Sequence, residues 1–305
     1  MTIENSKSLD IDPKSTCQEI EKLIREKLDF LQRDGAVVAL SGGLDSAVAA
    51  TLAIRALGKE RVHLLNMPER DSKPIHRKHA KQFANHLGIK LTTKRISPIL
   101  RTAGSYKLLP LRFLPTRQLR SALVDFAKSK IIKNKSNKLL AYRLHPEANS
   151  WLAKGNAYAI AKHRTRMVIV YQFAEVRNLL VIGAANRTEW MTGTFSKWGV
   201  DHCADVMPVL HLYRSQLEEV AEFLQLPDYI RNKAADPDLM PGVNDKGALM
   251  GEFTAVDQIL YYIENQLDLD TIRQTLGTET VDRVLELVEL SRHMRESPYH
   301  FLTKL

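Results

Sequence analysis

The chain has little cysteine: Cys17 and Cys203 are the only two in 305 residues, and they form no Cys-x-x-Cys pair. Neither a disulfide framework nor a cysteine zinc or iron-sulfur site is supported, and both side chains are expected as reduced thiols. Long apolar runs are missing as well. No window approaches the roughly 18 consecutive apolar residues that span a bilayer, and the polar stretch Met1 to Lys14 lacks the apolar centre of a signal peptide. The expectation is a cytoplasmic protein with no membrane partner. Internal repeats and low-complexity tracts are absent too. Most of the chain carries no excess charge. The formal net charge of +9 suggests nucleic acid until it is mapped: residues 101–150 hold eleven Lys and Arg against Asp125 and Glu147, and the remainder balances.

What is present is enough to bury a large core. With 44% hydrophobic and 26% charged residues the chain suits an α/β architecture. One catalytic domain over 1–305 is expected, with a basic, mostly helical insertion at about 101–150 and a C-terminal helical part at about 253–305. The charges of the insertion are interleaved with Leu123, Val124, Phe126, Ile131, Ile132, Leu139 and Leu140. That pattern fits a helical pair in a subunit interface as well as an RNA contact, so nucleic acid stays open as a partner without being favoured. Apolar periodicity predicts helices over 16–33, 45–57, 75–87 and 157–175, and strands over 36–40, 62–66, 90–96 and 179–182. Further helices are predicted over 214–225, 253–266, 269–276 and 279–295. Alternating strands and helices imply a doubly wound parallel sheet, with ligands at the carboxyl ends of its strands.

The hexapeptide Ser41-Gly42-Gly43-Leu44-Asp45-Ser46 falls between the strand run Ala36 to Leu40 and a helix. Two glycines let backbone N–H groups approach an anion, and the helix N-terminus adds partial positive charge. The string lacks the Gly-Lys-Ser/Thr ending of a P-loop and the glycine spacing of a dinucleotide fingerprint. An acid stands where the lysine would be. Asp45 can hold Mg²⁺ against phosphates, and Ser41 and Ser46 can donate to their oxygens. The plainer alternative is an ordinary glycine-rich strand-to-helix turn.

This loop resembles the pyrophosphatase loop of N-type ATP pyrophosphatases. Within that group the chain looks like the ammonia-dependent NAD synthetase family, from about residue 36 to 98 and again from about 158 to 298. The resemblance implies the adenine-nucleotide α-hydrolase-like fold, ATP as co-substrate, Mg²⁺, and a homodimer whose substrate sites are formed partly by the partner chain. Ser41, Gly42, Gly43, Asp45 and Ser46 would bind ATP, with Met67 beside the adenine and Arg214 and Asp236 at phosphate-contacting positions. A Pro-containing loop after a strand is equally plain turn chemistry for Met67-Pro68.

Four further strings carry the resemblance. Lys162-His163-Arg164-Thr165-Arg166-Met167 is similar to Lys-Ala-Arg-x-Arg-Met, which makes Arg164 a contact for deamido-NAD. Read from spacing alone, Lys162 and Arg166 share a helix face and Arg164 points elsewhere, so either set can be the solvated one. Glu189, shortly after Val181-Ile182-Gly183, matches a metal-binding glutamate that would share the cation with Asp45; a surface glutamate in a first helical turn is the alternative. Thr194-Phe195-Ser196-Lys197-Trp198-Gly199 is similar to the loop Phe-Thr-Lys-Tyr-Gly. Lys197 would face deamido-NAD and stabilise developing charge, and Asp205 would bind the same substrate. Asp201 would accept a proton from ammonium, or merely turn the chain. His293, within Ser291 to Arg295, would touch the dinucleotide, or cap a helix.

Departures from the family pattern are Ala184 and Asp236 for threonines, Arg214 for a lysine, Ile160 for an asparagine, Met294 for a lysine and Ala248 for a glutamate. Arg214 keeps the charge, whereas the Asp236 carboxylate beside a triphosphate needs a cation or a moved loop. The expected activity is amidation of deamido-NAD to NAD with free ammonia through an acyl-adenylate, releasing AMP and pyrophosphate. Neither cysteine sits in the setting of a glutaminase nucleophile. A paralogue adenylating another carboxylate or an RNA base is the alternative, and a non-catalytic nucleotide-binding protein the third reading.

Overall fold

Ala36-Val37-Val38 has no polar face, and it forms the centre of a sheet covered on both sides. A computed structural model describes residues 9–109, 116, 118, 119, 122, 144–200, 202–233 and 252–298. Four parallel strands, β1 (Gly35–Ala39), β2 (Val62–Asn66), β3 (Leu91–Thr93) and β4 (Leu179–Ile182), lie in the order β3-β2-β1-β4. Val38 pairs with Leu64 on one side and with Ile182 on the other. Strand order reverses between β1 and β4, so the segments leaving their carboxyl ends diverge and open a crevice.

In chain order the described helices are α1 (Pro13–Phe30), α2 (Leu44–Leu57), α3 (Pro74–His86), α4 (Ser97–Thr102), α5 (Trp151–Glu175) and α6 (Arg187–Thr192). They continue with α7 (Arg214–Phe223), α8 (Asp228–Arg231), α9 (Phe253–Glu264), α10 (Leu269–Leu276), α11 (Thr278–Leu290) and α12 (Arg292–Arg295). Side chains alternate along the strands. Ala36, Val38, Leu64, Leu180 and Ile182 pack with α1, α2, α3 and α7, while Val37, Leu65, Leu179 and Val181 pack with α4 and α5 on the opposite face. Each fully buried Val or Leu contributes about 1.5–3 kcal/mol. A third cluster joins Met191 and Tyr213 to α9, α10 and α11. No helix among the described residues is long and apolar enough to cross a membrane.

The doubly wound parallel sheet expected from the sequence is the one observed, but several boundaries differ: the helix expected over 16–33 runs Pro13–Phe30, because the Asp12 carboxylate caps Lys14 and Ser15 N–H, and three further shifts have identifiable reasons. The predicted strand 90–96 is regular only over Leu91–Thr93. Beyond it the chain still follows β2, with Lys94 N–H donating to Asn66 O (2.9 Å) and Ile96 N–H to Pro68 O (3.2 Å), but Pro68 breaks the regular ladder. Helix α5 begins at Trp151 instead of 157, because the Ser150 hydroxyl caps Ala153 N–H at 3.0 Å and packing carries the helix through Gly155 and Asn156. The predicted helix 279–295 breaks at buried Ser291, whose hydroxyl donates to Met191 O at 2.9 Å. Most of the basic segment 101–150, with Asp201, Asp236 and Ala248, lies outside the described residues. Its first residues are described, and Tyr106 among them is buried in the second core.

Candidate active site

The loop 41–46 leaves the carboxyl end of β1 already shaped. Asn66, at the end of β2, donates from Nδ2 to Leu40 O at 2.7 Å and fixes the point of departure. The Ser41 and Ser46 hydroxyls lie 3.0 Å apart; Ser46 Oγ donates to Gly43 O at 3.1 Å, and Gly43 N–H donates to Ser41 Oγ at 3.2 Å. These hydroxyls therefore hold the loop's shape as well as facing the cavity that Ser41 and Ser46 line. Gly42 has φ +80°, and a Cβ there would lie 2.4 Å from His76 O and 2.8 Å from Ala80 N. Backbone cannot give way as a side chain can. Gly42→Ala is expected to lower stability by about 1–3 kcal/mol and to abolish the rise in Tm on adding ATP. Thermal melts with and without nucleotide check this, and a wild-type response in the variant would show that the loop tolerates a side chain.

Asp45 stands in the first turn of α2, where an acid is favoured by the helix dipole. Its carboxylate accepts from Asn186 Nδ2 at 2.6 Å and from Arg214 Nη1 at 3.3 Å. Asn186 also caps α6, accepting Glu189 N–H at 3.0 Å, so one side chain orients both carboxylate-bearing turns. Burial opposes the charge on Arg214, but Asp45 and Glu218 more than offset it and hold the guanidinium pKa above its ordinary value. Asp45, Glu189 and Arg214 line one cavity with Met67, His163, Arg166 and Ala184. Behind it, buried Asp257 accepts Thr188 Oγ1 at 2.5 Å and Ser215 N–H at 2.8 Å, and Thr188 Oγ1 accepts Arg214 N–H at 2.9 Å. This lattice sets where α7 begins and hence where Arg214 points. Burial raises the pKa of Asp257 in spite of those donors.

The opposite wall is held from α5. Arg166 Nε donates to Met67 O at 3.1 Å, which fixes the loop after β2. The Lys162 ammonium pairs with Glu69 Oε2 at 3.1 Å; Glu69 also accepts Tyr106 OH at 2.6 Å and Asp71 N–H at 2.8 Å. Tyr158 OH donates to Asp71 Oδ2 at 2.5 Å. The Lys162/Arg166 face is thus the inward one, and Arg164 is exposed. Spacing put Lys162 and Arg166 on one face without deciding which face is solvated; Asn186, Asp257 and the Glu69 partner of Lys162 are absent from the residues read out of the sequence, since polar residues in a helix or a Pro-containing turn carry no local mark of burial.

The sequence matches the NAD synthase family over residues 16–109 and 116–298. The chain belongs to the NAD synthase family. The NH3-dependent NAD+ synthetase of Thermotoga maritima is 38% identical over 283 residues, which cover 91% of this chain and 96% of that one. The enzyme of the same name from Methanocaldococcus jannaschii is 32% identical over 281 residues, 92% of this chain and 93% of that one. Among solved structures, the NH3-dependent NAD synthetase of Campylobacter jejuni superposes with a TM-score of 0.70 at 22% identity, covering 96% of this chain and 100% of that one. The NMN synthetase of Francisella tularensis gives 0.69 at 23%, with the same coverage. At these identities the superpositions establish the shared fold.

Against the NAD synthase pattern, the structure separates two groups of residues. Ser41, Gly43, Asp45, Ser46, Met67, Glu189 and Arg214 line the crevice between β1 and β4, and Gly42 backs their loop. Arg164, Lys197 and His293 form a second set outside that lining. Arg164 Nε and Nη2 each lie 3.4 Å from Lys197 O, and Lys197 Nζ donates to His293 O at 2.5 Å. His293 Nδ1 lies 3.0 Å from Leu290 O, the helix-end contact that sequence reading kept as its alternative. Asp205 accepts Val181 N–H at 2.8 Å and Tyr171 OH at 3.1 Å, so its carboxylate anchors β4. Of the departures, Ala184 lines the crevice and Met294 is buried against Gly193.

Proposed function

We propose that this chain is an ammonia-dependent NAD synthetase: a ligase that uses ATP to amidate deamido-NAD to NAD, releasing AMP and pyrophosphate. The observation that carries the reading is the meeting of Asp45, Glu189 and Arg214 at the Ser41–Ser46 loop, at the switch point of the sheet. The loop and the N-terminus of α2 bind the β- and γ-phosphates, with Met67 beside the adenine and Arg214 neutralising phosphate charge; Asp236 is assigned to the same phosphate region by its resemblance to the family pattern. Asp45 and Glu189 supply two carboxylates on one wall, a donor set that suits Mg²⁺ with phosphate and water completing its shell. Asp45 and Glu189 would hold the ion there, and its charge would offset that of the triphosphate.

The nicotinate carboxylate of deamido-NAD attacks the α-phosphorus and the bond to the bridging oxygen of pyrophosphate breaks, leaving an acyl-adenylate. Ammonia then adds to the acyl carbon and AMP departs with the bonding electrons. Lys197 stabilises the charge on the departing group, Asp201 accepts the proton lost by ammonium, and Arg164, Asp205 and His293 hold the dinucleotide. The chain works as a single synthetase-like domain in a cytoplasmic homodimer, the partner completing the dinucleotide site around the exposed Arg164.

The test is AMP and NAD formation by purified protein with ATP, Mg²⁺ and ammonium, in the presence and absence of deamido-NAD. Equal yields of AMP and NAD that vanish without deamido-NAD are expected. ATP binding with no acceptor-dependent AMP would overturn the choice of deamido-NAD and turn the search to other carboxylates and RNA.

A further inference from the structure

Glu189 is carried by α6, a helix of only six residues. A helix that short cannot hold its own shape or direction in water, so contacts from outside set both. At its N-terminal end they come from the site itself, through Asn186 and Thr188. At its C-terminal end they come from α12. Arg295 Nη1 donates to Met191 O at 2.8 Å and to Ser291 Oγ at 2.7 Å, and Nη2 donates to Val288 O at 2.8 Å. Met191 lies in the final turn of α6 and Val288 in the final turn of α11, so one planar guanidinium closes two helix ends whose carbonyls carry partial negative charge. Burial, and next the Arg187 guanidinium, push the pKa of Arg295 below its ordinary value, a cost that these bonds offset. Glu189 stands two residues before Met191, and its own carbonyl accepts Thr194 N–H at 3.0 Å. Movement at the end of α6 therefore reaches the carboxylate.

We propose that Arg295 is a positioning residue for Glu189: by tying the C-terminal end of α6 to α11, it holds the Glu189 carboxylate on the crevice wall that Asp45 shares. The inference rests on the reading of Asp45 and Glu189 as the pair that holds Mg²⁺. Arg295 is not among the residues that line the crevice, so it acts through α6 and not on the nucleotide. Mg²⁺ demands near-ideal octahedral geometry, and a ligand displaced by about 1 Å forfeits much of its hold on the ion. A guanidinium suits the task because its rigid fork reaches Met191 O and Val288 O together, which a single ammonium on a flexible stem does not.

The experiment measures ATP binding by calorimetric titration without any acceptor, once with Mg²⁺ and once with EDTA, and takes the ratio of the two affinities as the metal gain. Wild type is compared with Arg295→Met, Arg295→Lys, Glu189→Gln and the double variant Arg295→Met/Glu189→Gln. Arg295→Met is expected to cut the metal gain by about tenfold while ATP affinity in EDTA stays within about twofold of wild type. Arg295→Lys keeps the charge without the fork and should lose about threefold, which also serves if Arg295→Met does not fold. Glu189→Gln should lose most of the gain, and the double variant should be no worse than Glu189→Gln alone. An unchanged metal gain in both Arg295 variants would overturn the proposal. So would equal weakening of ATP binding in Mg²⁺ and EDTA, which would make Arg295 a general support of the crevice, or additive losses in the double variant. If wild type binds ATP no better with Mg²⁺, the metal role of Glu189 fails and this inference with it. If the metal gain behaves as expected but deamido-NAD yields no AMP, only the acceptor assignment fails.

Discussion

Asp45→Asn should lower AMP formation by about 1000-fold, equivalent to roughly 4 kcal/mol of transition-state stabilisation, while the protein stays folded. The substitution keeps shape and removes one negative charge at the point where loop, helix and sheet meet. Asn186 Nδ2, now 2.6 Å from Oδ1, can still find an amide oxygen, so the cap of α6 survives. What is lost is a carboxylate able to hold Mg²⁺ against the phosphates, together with the partner that keeps Arg214 turned inward at 3.3 Å. Glu218 remains on Arg214 Nε at 2.8 Å, which limits the structural damage to about 1 kcal/mol. Steady-state AMP release with a parallel thermal melt checks both parts. A variant keeping more than a tenth of the wild-type rate would remove Asp45 from the proposed metal site.

Lys162→Met carries the largest expected effect on stability, a loss of about 3–5 kcal/mol and a fall in Tm of roughly 10 °C. The Lys162 and Glu69 side chains are 2% and 0% exposed, so removing the ammonium leaves a buried carboxylate without its nearest cation. Tyr106 OH and Asp71 N–H still donate to Glu69 but are neutral, and the Arg70 guanidinium, 4.0 Å from Oε1, is nearer to Asp71 at 3.3 Å and only partly balances the charge. Adding Glu69→Gln removes the orphaned charge, and the double variant should regain at least half of the lost stability. Urea denaturation of the two single variants and the double decides the matter. Additive losses would mean that the pair is not coupled. Because α5 also presents Arg166 to Met67 O, Lys162→Met should raise the KM for ATP more than it lowers kcat.

The parts of the site that were readable in advance share one property: their chemistry is set by neighbours in the chain. Gly42 and Gly43 between an apolar strand and a helix specify an anion cradle, and Asp45 in the first helical turn follows from the same six residues. Glu189 could be placed because it follows β4 closely, and parallel sheets bind ligands at the carboxyl ends of their strands. Where reading by period went astray, a contact from elsewhere decided the outcome. Gly155 and Asn156 look like a helix break until Ser150 caps the segment and the core covers it. Ser291 looks like mid-helix until its hydroxyl is claimed by Met191 O, 100 residues away.

The sequence by itself determined the α/β class, the position of the phosphate loop, the family pattern over most of the chain and the paucity of thiol chemistry, because each is written in local periodicity or in contiguous motifs. Only the tertiary structure decided which charges are buried and against what. Asn186 reaches Asp45 across 141 positions, Lys233 reaches Gly42 O across 191, and Lys162 meets Glu69 inside the protein. Such pairs leave no periodic trace. In the linear chain they are ordinary polar residues, and their roles arise only when folding removes water and leaves each charge dependent on the partners that the crossing of strands and helices has brought within reach.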